Sequence, residues 1–287
     1  MLARIESSPD DPAVQSILDS AWKAPAGVAI GLTGPPGVGK STLANTLVGA
    51  FRHLGKSVAV LAVDPSSRTS GGALLGDRAR IDADPRDQGV FIRSLAAREQ
   101  LGGLAELAMP ITVLFRALYD LVLIETVGVG QSETEIADLA DIVVFCAQPG
   151  SGDSLQFMKA GVIEIPDLAV VCKADLGEPA RRAVADLKGA LSLAVRNGAP
   201  PEVMSVSARD GAGAESRAAK LANWPTLAPQ RRQSQAKAWI HSALTARFGR
   251  EGLAALGEAA RLSEDESPFA VERRAAAILR HRLSGNP

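Results

Sequence analysis

Cysteine is scarce in this sequence. The chain of 287 residues contains two, Cys146 and Cys172, and each lies in an apolar run that is typical of a buried strand. Two such thiols cannot build the disulfide framework that stabilises many small secreted proteins. We therefore expect reduced core thiols and a location in the cytoplasm.

Net charge and long apolar runs are lacking too. The 31 basic and 32 acidic residues leave a formal net charge of -1, which gives no global field that would attract nucleic acid or an anionic membrane. No run reaches the ~18 consecutive apolar residues of a membrane helix. The first residues, MLARIESSPDDPAVQ, have no apolar core of signal-peptide length. We expect a soluble protein that contacts neither nucleic acid nor membrane.

Short apolar runs alternate with helical patterns along most of the chain. Several runs are apolar at nearly every position, as a strand buried on both faces requires. The pattern predicts an α/β fold, with a mostly parallel sheet and helices on both faces. Ligands of such sheets bind at the carboxyl ends of the strands. The predicted strands are residues 28–33, 57–63, 90–95, 120–126, 141–147, 168–174 and 203–208.

Helical patterns flank the predicted sheet at both ends of the chain. A short amphipathic helix is predicted over residues 13–22, and a final helix over residues 268–283. A further helical pattern follows Pro229. Its apolar side carries Trp239, Ile240, Leu244 and Phe248. These C-terminal helices carry no constellation of reactive groups, so packing or subunit contact is their expected role.

The chain divides into three predicted parts. Residues 1–26 form an N-terminal helical extension, residues 27–227 form the α/β domain, and residues 228–287 form a C-terminal helical arm. A chain of this length with 46% hydrophobic residues can bury a sizeable core. One large domain with helical appendages therefore fits better than two full domains.

A phosphate-binding loop is predicted directly after the first strand. The segment GPPGVGKS, residues 34–41, fits the pattern G-x-x-x-x-G-K-[ST] between a strand and a helix. Its glycines let backbone N–H groups surround phosphates, Lys40 reaches the β and γ oxygens, and the helix N-terminus adds partial positive charge. The alternative is a glycine-rich turn that binds nothing, and an eight-position match in this context argues against it.

Carboxylates close two of the predicted strands. Asp64 ends the second strand and Glu125 ends the fourth, so both are expected near the phosphates. Together with the Ser41 hydroxyl they offer oxygen ligands for Mg²⁺. Either acid alone could be a solvated strand-end residue, but the pair beside a phosphate loop favours a metal site. The backbone around Gly128 could approach a γ-phosphate, which is the behaviour of a switch loop.

Two further loop features are candidates from spacing. Gln131 could orient an attacking water, by analogy with the glutamine that does so in some GTPases. Asp77 follows a Gly-Gly pair in a loop long enough to move, and Arg78 and Arg80 accompany it. A solvated surface loop is an equally good interpretation of this second segment.

Five segments together resemble one protein family. They are GLTGPPGVGKST, VLAVDPSSRTSGGALLGDRAR, LVLIETVGVGQSE, QPGSGDSLQFMKAG and VVCKAD. They are similar to segments of the MeaB/ArgK/MMAA family of P-loop GTPases, which act as chaperones of adenosylcobalamin-dependent acyl-CoA mutases. The resemblance extends roughly from residue 2 to residue 250, and the part after Gly249 is shorter than the family pattern.

The resemblance implies GTP or GDP and Mg²⁺ as bound groups, an adenosylcobalamin-dependent acyl-CoA mutase as partner, and a homodimer formed through helical extensions. It also implies roles for individual residues. The phosphate loop would comprise Gly34, Pro35, Pro36, Gly37, Val38, Gly39, Lys40, Ser41 and Thr42. The base site would comprise Lys173, Asp175, Ser207, Ala208 and Arg209.

Metal, catalytic and switch residues are implied in the same way. Mg²⁺ would be surrounded by Ser41, Asp64, Asp77 and Glu125. The catalytic residues would be Lys40, Asp64 and Glu125, together with Gln131 by the analogy given above. The switch loops would include Arg78, Arg80 and Gly128. An additional switch, from Gln148 through Asp153 to Lys159, would couple the nucleotide state to the mutase.

Cys172 stands where a guanine-binding motif usually carries asparagine. Guanine presents two N–H donors on one edge, and the Asp175 carboxylate can accept both, whereas adenine presents an acceptor there. We therefore expect guanine preference to survive with looser binding, and the Lys173 stem to lie along the base. We expect a packing role for Cys172 rather than a redox role, because no fixed cation is expected near this strand end to lower the thiol pKa.

Other functions remain open at the level of sequence. A GTPase that delivers metal to nickel enzymes needs thiolate or imidazole clusters, but His53, His241 and His281 are scattered and neither cysteine belongs to a C-x-x-C pair. A nucleotide-binding adaptor or transport-accessory protein with little hydrolysis is the principal alternative. A cobalamin-binding D-x-H-x-x-G motif does not occur, so any cobalamin chemistry would belong to the partner.

Overall fold

The computed structural model describes residues 1–65, 84–97, 105–126, 135–150, 164–192, 194, 199–224 and 229–283. Within them, a sheet of parallel strands has the order β3-β2-β4-β1-β5-β6-β7. The strands are β1 Val28–Thr33, β2 Val58–Pro65, β3 Val90–Ala97, β4 Leu121–Thr126, β5 Ile142–Ala147, β6 Leu168–Val171 and β7 Glu202–Ser205. The α/β fold class is confirmed, and β1 lies at the centre of the sheet.

Helices cover both faces of this sheet. They are α1 Leu2–Ser7, α2 Pro12–Lys23, α3 Lys40–His53, α4 Ala105–Leu118, α5 Glu178–Leu191, α6 Ala214–Ala222, α7 Pro229–Leu256 and α8 Pro268–Leu283. Short 3₁₀ turns span Ile136–Asp138, Ala174–Leu176 and Gly257–Ala260. A kink interrupts α7 at Gly249, where φ is 72° and ψ is 176°.

All seven predicted strands are confirmed, and two of them end earlier than expected. β6 ends at Val171 because the chain turns sharply at Lys173, whose φ is 57°. β7 ends at Ser205, before the loop that closes against the 3₁₀ turn following β6. The helix predicted over residues 13–22 begins one residue earlier, since Asp11 caps it by accepting from the Ala13 N–H at 2.9 Å.

The two faces of the sheet bury different helices. Ile30 and Leu32 of β1 share a buried cluster with the apolar side of α3 and with α6. On the opposite face, Ala29 belongs to a cluster that contains α1, α2, α4, α7 and α8. Because β1 and β5 are covered on both sides, nearly all of their side chains are apolar, which explains the continuous runs in the sequence.

The helices at the two chain ends pack against each other on this second face. The rings of Trp239 and Phe269 meet edge to face with centroids 5.1 Å apart, and the Arg232 guanidinium lies 4.0 Å from the ring centroid of Trp22. The apolar side predicted for α7 is buried or partly buried in the same cluster. The division into extension, domain and arm stays a prediction, but the described terminal helices share one core with the sheet.

Candidate nucleotide-binding site

The phosphate loop lies between the central strand and α3. Gly34 has a φ of 137°, and a Cβ there would lie 2.3 Å from the carbonyl oxygen of Cys146. Gly39 has a φ of 106° and precedes the first helical residue. A residue with a side chain would clash at the first position and be strained at the second. The glycines therefore allow the loop to pass close to β5 and then enter α3.

Lys40 is the buried cation of this loop. Its side chain is 6% exposed, and Nζ donates to the carbonyl oxygens of Gly34 at 2.7 Å and Pro35 at 2.9 Å. The residue also opens α3, where the first backbone N–H groups have no partner within the helix. An ammonium group and a helix N-terminus therefore meet at one point, as binding of a phosphate chain requires.

The Ser41 hydroxyl and the Glu125 carboxylate meet beside Lys40. Ser41 Oγ donates to Glu125 Oε1 at 2.5 Å. β4 brings Glu125 there because it lies between β1 and β2, where Glu125 is in register with Leu32 and Ala62. The backbone of Asp64 follows Ala62 by two residues, at the same edge. These hard oxygen groups fit Mg²⁺, although the described residues contain no cluster of three potential metal ligands.

Several predicted site residues cannot be placed. They fall in the ranges 66–83, 127–134 and 151–163, which lie outside the described residues. Their metal, catalytic and switch roles stay predictions. They are Asp77, Arg78, Arg80, Gly128, Gln131, Asp153 and Lys159.

A cavity adjoins the phosphate loop. Its volume is about 230 Å³. Three segments converge on it: the start of α3, the turn after β6 and the loop after β7, because the carboxyl ends of parallel strands meet at one edge. The lining residues are Gly39, Thr42, Leu43, Cys172, Lys173, Asp175, Val206, Ala208 and Arg209.

Asp175 is held by the loop after β7. Its Oδ1 accepts from the hydroxyl of Ser207 at 3.2 Å, and Arg209 Nη1 lies 4.0 Å from Oδ2. Ser207 is fully buried, and its N–H donates to Ala212. Ser207 does not line the cavity itself. The structure therefore brings the predicted base-site residues together and gives Ser207 a supporting position behind Asp175.

Lys173 links the cavity to the segment after β5. Its backbone has a positive φ, and its Nζ donates to Gln148 Oε1 at 2.5 Å. Gln148 is the one residue of the predicted additional switch named above that the structure describes. Leu43 and Val206, which the sequence reasoning missed, form apolar walls of the cavity. In sequence they resemble ordinary core positions, so only their adjacency to the motifs could have indicated them.

Cys172 departs from its predicted surroundings. Both cysteines are free and buried, as predicted. A hydrogen bond with the Cys146 thiol lowers the pKa of Cys172, and the charges of Lys173 and Lys40 act in the same direction against the effect of burial. The same hydrogen bond and burial raise the pKa of Cys146. The prediction that no cation lies near Cys172 was wrong, because the phosphate loop brings Lys40 to this strand end.

The fold and this site define a P-loop GTPase class of protein: a central parallel strand leads into a glycine-rich loop, and a buried lysine opens the next helix. The chain belongs to one family within that class. The family described as "Methylmalonyl Co-A mutase-associated GTPase MeaB" matches residues 3–252.

Curated relatives support the same assignment. The chain is 45% identical over 189 residues to "Methylmalonic aciduria type A homolog, mitochondrial" of Mus musculus, covering 64% of this chain and 46% of that protein. It is 44% identical over 147 residues to "GTPase ArgK" of Escherichia coli (strain K12), covering 51% of this chain and 44% of that protein. The chain thus spans about half the length of the curated relatives it matches.

Solved structures share the fold. One described as an LAO/AO transport system kinase superposes with a TM-score of 0.59 and 25% identity, covering 97% of this chain and 91% of that chain. The hydrogenase maturation factor HypB from Archaeoglobus fulgidus gives a TM-score of 0.52 at 18% identity, covering 73% and 97%, which supports the fold alone. Among the helices described here, none has the length and apolar character needed to cross a membrane.

Proposed function

We propose that this protein binds GTP together with Mg²⁺ and hydrolyses the γ-phosphate in the cytoplasm. The observation that carries the proposal is the placement of buried Lys40 at the start of α3, beside the Ser41–Glu125 pair. Membership of a family of GTPases supports guanosine triphosphate as the substrate. Phosphate binding explains why a cation is buried at the N-terminus of a helix, next to a glycine-rich loop.

Lys40 exchanges partners when a phosphate chain enters. Without nucleotide, its ammonium group donates to the Gly34 and Pro35 carbonyls. With nucleotide, it turns to the β and γ oxygens and stabilises the charge that develops on the transferred phosphoryl group. Bound Mg²⁺ supplies additional neutralising charge, and Ser41 and Glu125 would hold it, with Asp64 and Asp77 as further proposed ligands.

Guanine is the base that the cavity fits best. The Asp175 carboxylate can accept from both N–H donors of guanine, because the single hydroxyl of Ser207 leaves it further acceptor positions. Lys173, Ala208 and Arg209 surround the same space. Gln131 is proposed as the residue that orients the attacking water. Its position after β4 would bring it near the phosphate end.

The proposed partner is an adenosylcobalamin-dependent acyl-CoA mutase, which this protein would assemble or protect as a homodimer. The family description and the name of the mouse relative support this choice. The switch loops would change conformation when the γ-phosphate is lost. The contact between Lys173 and Gln148 connects the base cavity to the first residue of the additional switch.

A nucleotide-binding adaptor or transport-accessory protein is the second candidate function. It is favoured by the near-complete structural match to a protein described as an LAO/AO transport system kinase. Such an adaptor would bind nucleotide in the same cavity and release little phosphate. Hydrolysis therefore distinguishes the two candidates, while nucleotide binding does not.

Phosphate release from GTP tests the proposed activity. We expect slow phosphate release by the wild-type protein alone, because the switch loops would need the partner to adopt the conformation that supports hydrolysis. Release should become faster when a purified acyl-CoA mutase is added. Lys40→Ala provides the blank and should reduce the rate at least about a hundredfold, since it removes charge stabilisation of the transition state. Equal release by both proteins, or rapid turnover that no mutase changes, would contradict the proposal.

Calorimetric titration with GTP and ATP tests the base specificity. Asp175→Asn removes one acceptor oxygen and introduces an NH₂ group opposite the guanine donors, so the GTP preference should fall about tenfold to a hundredfold. Asp186→Asn is the matched control, because Asp186 is exposed on α5 and distant in sequence from the motifs. Equal binding of GTP and ATP by the wild-type protein would refute guanine selectivity.

A further inference from the structure

The two cysteines occupy different environments although they lie on neighbouring strands. Cys146 is fully buried inside β5. Cys172 follows the last residue of β6 and lines the 230 Å³ cavity. Its thiol is therefore next to a space that a small molecule can enter, while the Cys146 thiol has only protein atoms around it. Cys146 therefore serves as an internal control for the reactivity of the Cys172 thiol.

Cys172 also lies close to the phosphate loop, since Cys172 and Gly39 line the same cavity. A Cβ placed on Gly39 would lie 3.8 Å from Cys172 Cβ and 4.0 Å from Sγ. Gly39 immediately precedes α3. The thiol therefore faces the corner where the loop, the start of α3 and the base cavity meet. A group attached to Sγ must occupy the space in which a purine base would lie.

The surroundings favour a thiolate at this position. The Cys146 thiol is hydrogen-bonded to Cys172, and this contact lowers the pKa of Cys172, as do the charges of Lys173 and Lys40. A thiolate rather than a thiol is the nucleophile in thiol chemistry. Burial and the same contact raise the pKa of Cys146, so Cys172 is the thiol of the pair that ionises more readily.

The charges that line the cavity determine whether anionic or cationic molecules enter it more readily. Among the residues that line the cavity, Lys173 and Arg209 are positively charged and Asp175 is negatively charged. The balance of these groups is positive. An anionic molecule is therefore attracted to the cavity more strongly than a cationic molecule of similar size.

We propose that Cys172 is a modification site that forms a mixed disulfide with small anionic disulfides, and that the adduct excludes nucleotide from the base cavity. The exclusion rests on the function proposed above. In the reaction, Cys172 Sγ attacks one sulfur of the reagent, a new S–S bond forms, and the old S–S bond breaks. The other half leaves as a thiolate, and the proton of Cys172 passes to water. A small thiol reverses the modification.

Reaction of the full-length protein with dithionitrobenzoate tests the site. We expect one rapidly reacting thiol, identified by mass spectrometry as Cys172, at a rate about tenfold or more above that of Cys146. Cys172→Ser should abolish the rapid phase, whereas Cys146→Ser should retain it. The rate at Cys172, divided by the rate of a free small thiol with the same reagent to remove the difference in leaving group, should be lower for cystamine, a cationic disulfide. A rapid phase that persists in Cys172→Ser, or thiols that react only in denaturant, would overturn the inference.

Nucleotide protection separates this inference from the proposed function. GDP binding is first measured by calorimetry, and the dithionitrobenzoate rate is then followed with and without saturating GDP. If GDP binds and slows the reaction at Cys172, the proposed nucleotide binding and the proposed modification site are both supported. If GDP binds and the reaction is unaffected, exclusion is wrong. If Cys172 reacts but GDP does not bind at millimolar concentration, the modification site stands and the proposed function fails.

Discussion

At the scale of single residues, one buried ion pair connects the central strand to the helix behind it. Asp141 accepts from the Ala29 N–H at 2.6 Å, and its Oδ1 lies 2.9 Å from Nη2 of Arg116. Burial raises the pKa of Asp141, and Arg116 opposes that shift. A buried ion pair adds little net stability, because the cost of removing both charges from water offsets their attraction. The loss of one partner, however, leaves the other charge buried and uncompensated.

The variant Asp141→Asn should therefore lower the free energy of unfolding by about 3 kcal/mol or more. Urea unfolding measures the change, with the exposed substitution Asp186→Asn as a control expected to cost less than about 0.5 kcal/mol. Combining Asp141→Asn with Arg116→Met should cost less than the sum of the single changes, because neither charge of the pair is then left without its partner. Strict additivity would show that the pair does not interact.

At the scale of secondary-structure elements, hydrogen bonds at the amino-terminal ends of the strands hold β2 and β4 together. Asp120 precedes β4, and its Oδ2 accepts from the Ser57 hydroxyl at 2.7 Å and from the Ser57 N–H at 2.8 Å, just before β2. These bonds, the hydroxyl first, lower the pKa of Asp120 below its ordinary value of 3.8, and Lys56 assists. The two strands are thus joined at the edge opposite the nucleotide cavity.

This arrangement gives a stability term that depends on pH. Because the pKa is lower in the folded state, the carboxylate's contribution is present above pH 3.8 and is lost as the pH falls through the folded value. Asp120 is partly exposed, so the term is less than about 1 kcal/mol. Ser57→Ala should raise the Asp120 pKa, as observed by NMR titration, whereas Ser20→Ala should leave it unchanged. An unchanged Asp120 titration in Ser57→Ala would remove the hydroxyl as the cause.

At the scale of the whole molecule, the described terminal helices and the sheet form a continuous core. Trp239 of α7 packs against Phe269 of α8, and both belong to the cluster that contains Ala29 of the central strand. This cluster lies on the face opposite α3. The terminal helices therefore stabilise the sheet from behind and do not contribute to the nucleotide cavity.

The variant Trp239→Ala should lower the free energy of unfolding by about 3–5 kcal/mol and should leave a single unfolding transition. Far-UV circular dichroism and the fluorescence of the remaining Trp22 and Trp224, which pack on opposite faces of the sheet, should report the same midpoint, because the terminal helices and the sheet unfold together. Leu118→Ala is the control, since that side chain is 64% exposed. Separate midpoints for the two signals would show that the terminal helices form an independent unit.

The sequence by itself determined the strands, the phosphate loop and the family. Burial on both faces favours apolar residues at nearly every position of β1 and β5, so these strands are visible as continuous runs. The loop of residues 34–41 is equally visible, because close approach to β5 and entry into α3 require glycine at fixed positions. Apolar runs and glycines at fixed positions reflect local requirements of burial and backbone conformation, so they can be interpreted without knowledge of long-range contacts.

Only the tertiary structure decided which groups meet across the sheet. The contact between Ser41 and Glu125, the support of Asp175 by Ser207 and the presence of Lys40 near Cys172 join segments far apart in the chain. Sequence analysis assigned Cys172 a packing role because its neighbours along the chain are mostly apolar. The parallel order of the strands brings their carboxyl ends to one edge, and that convergence sets the chemistry of each side chain there.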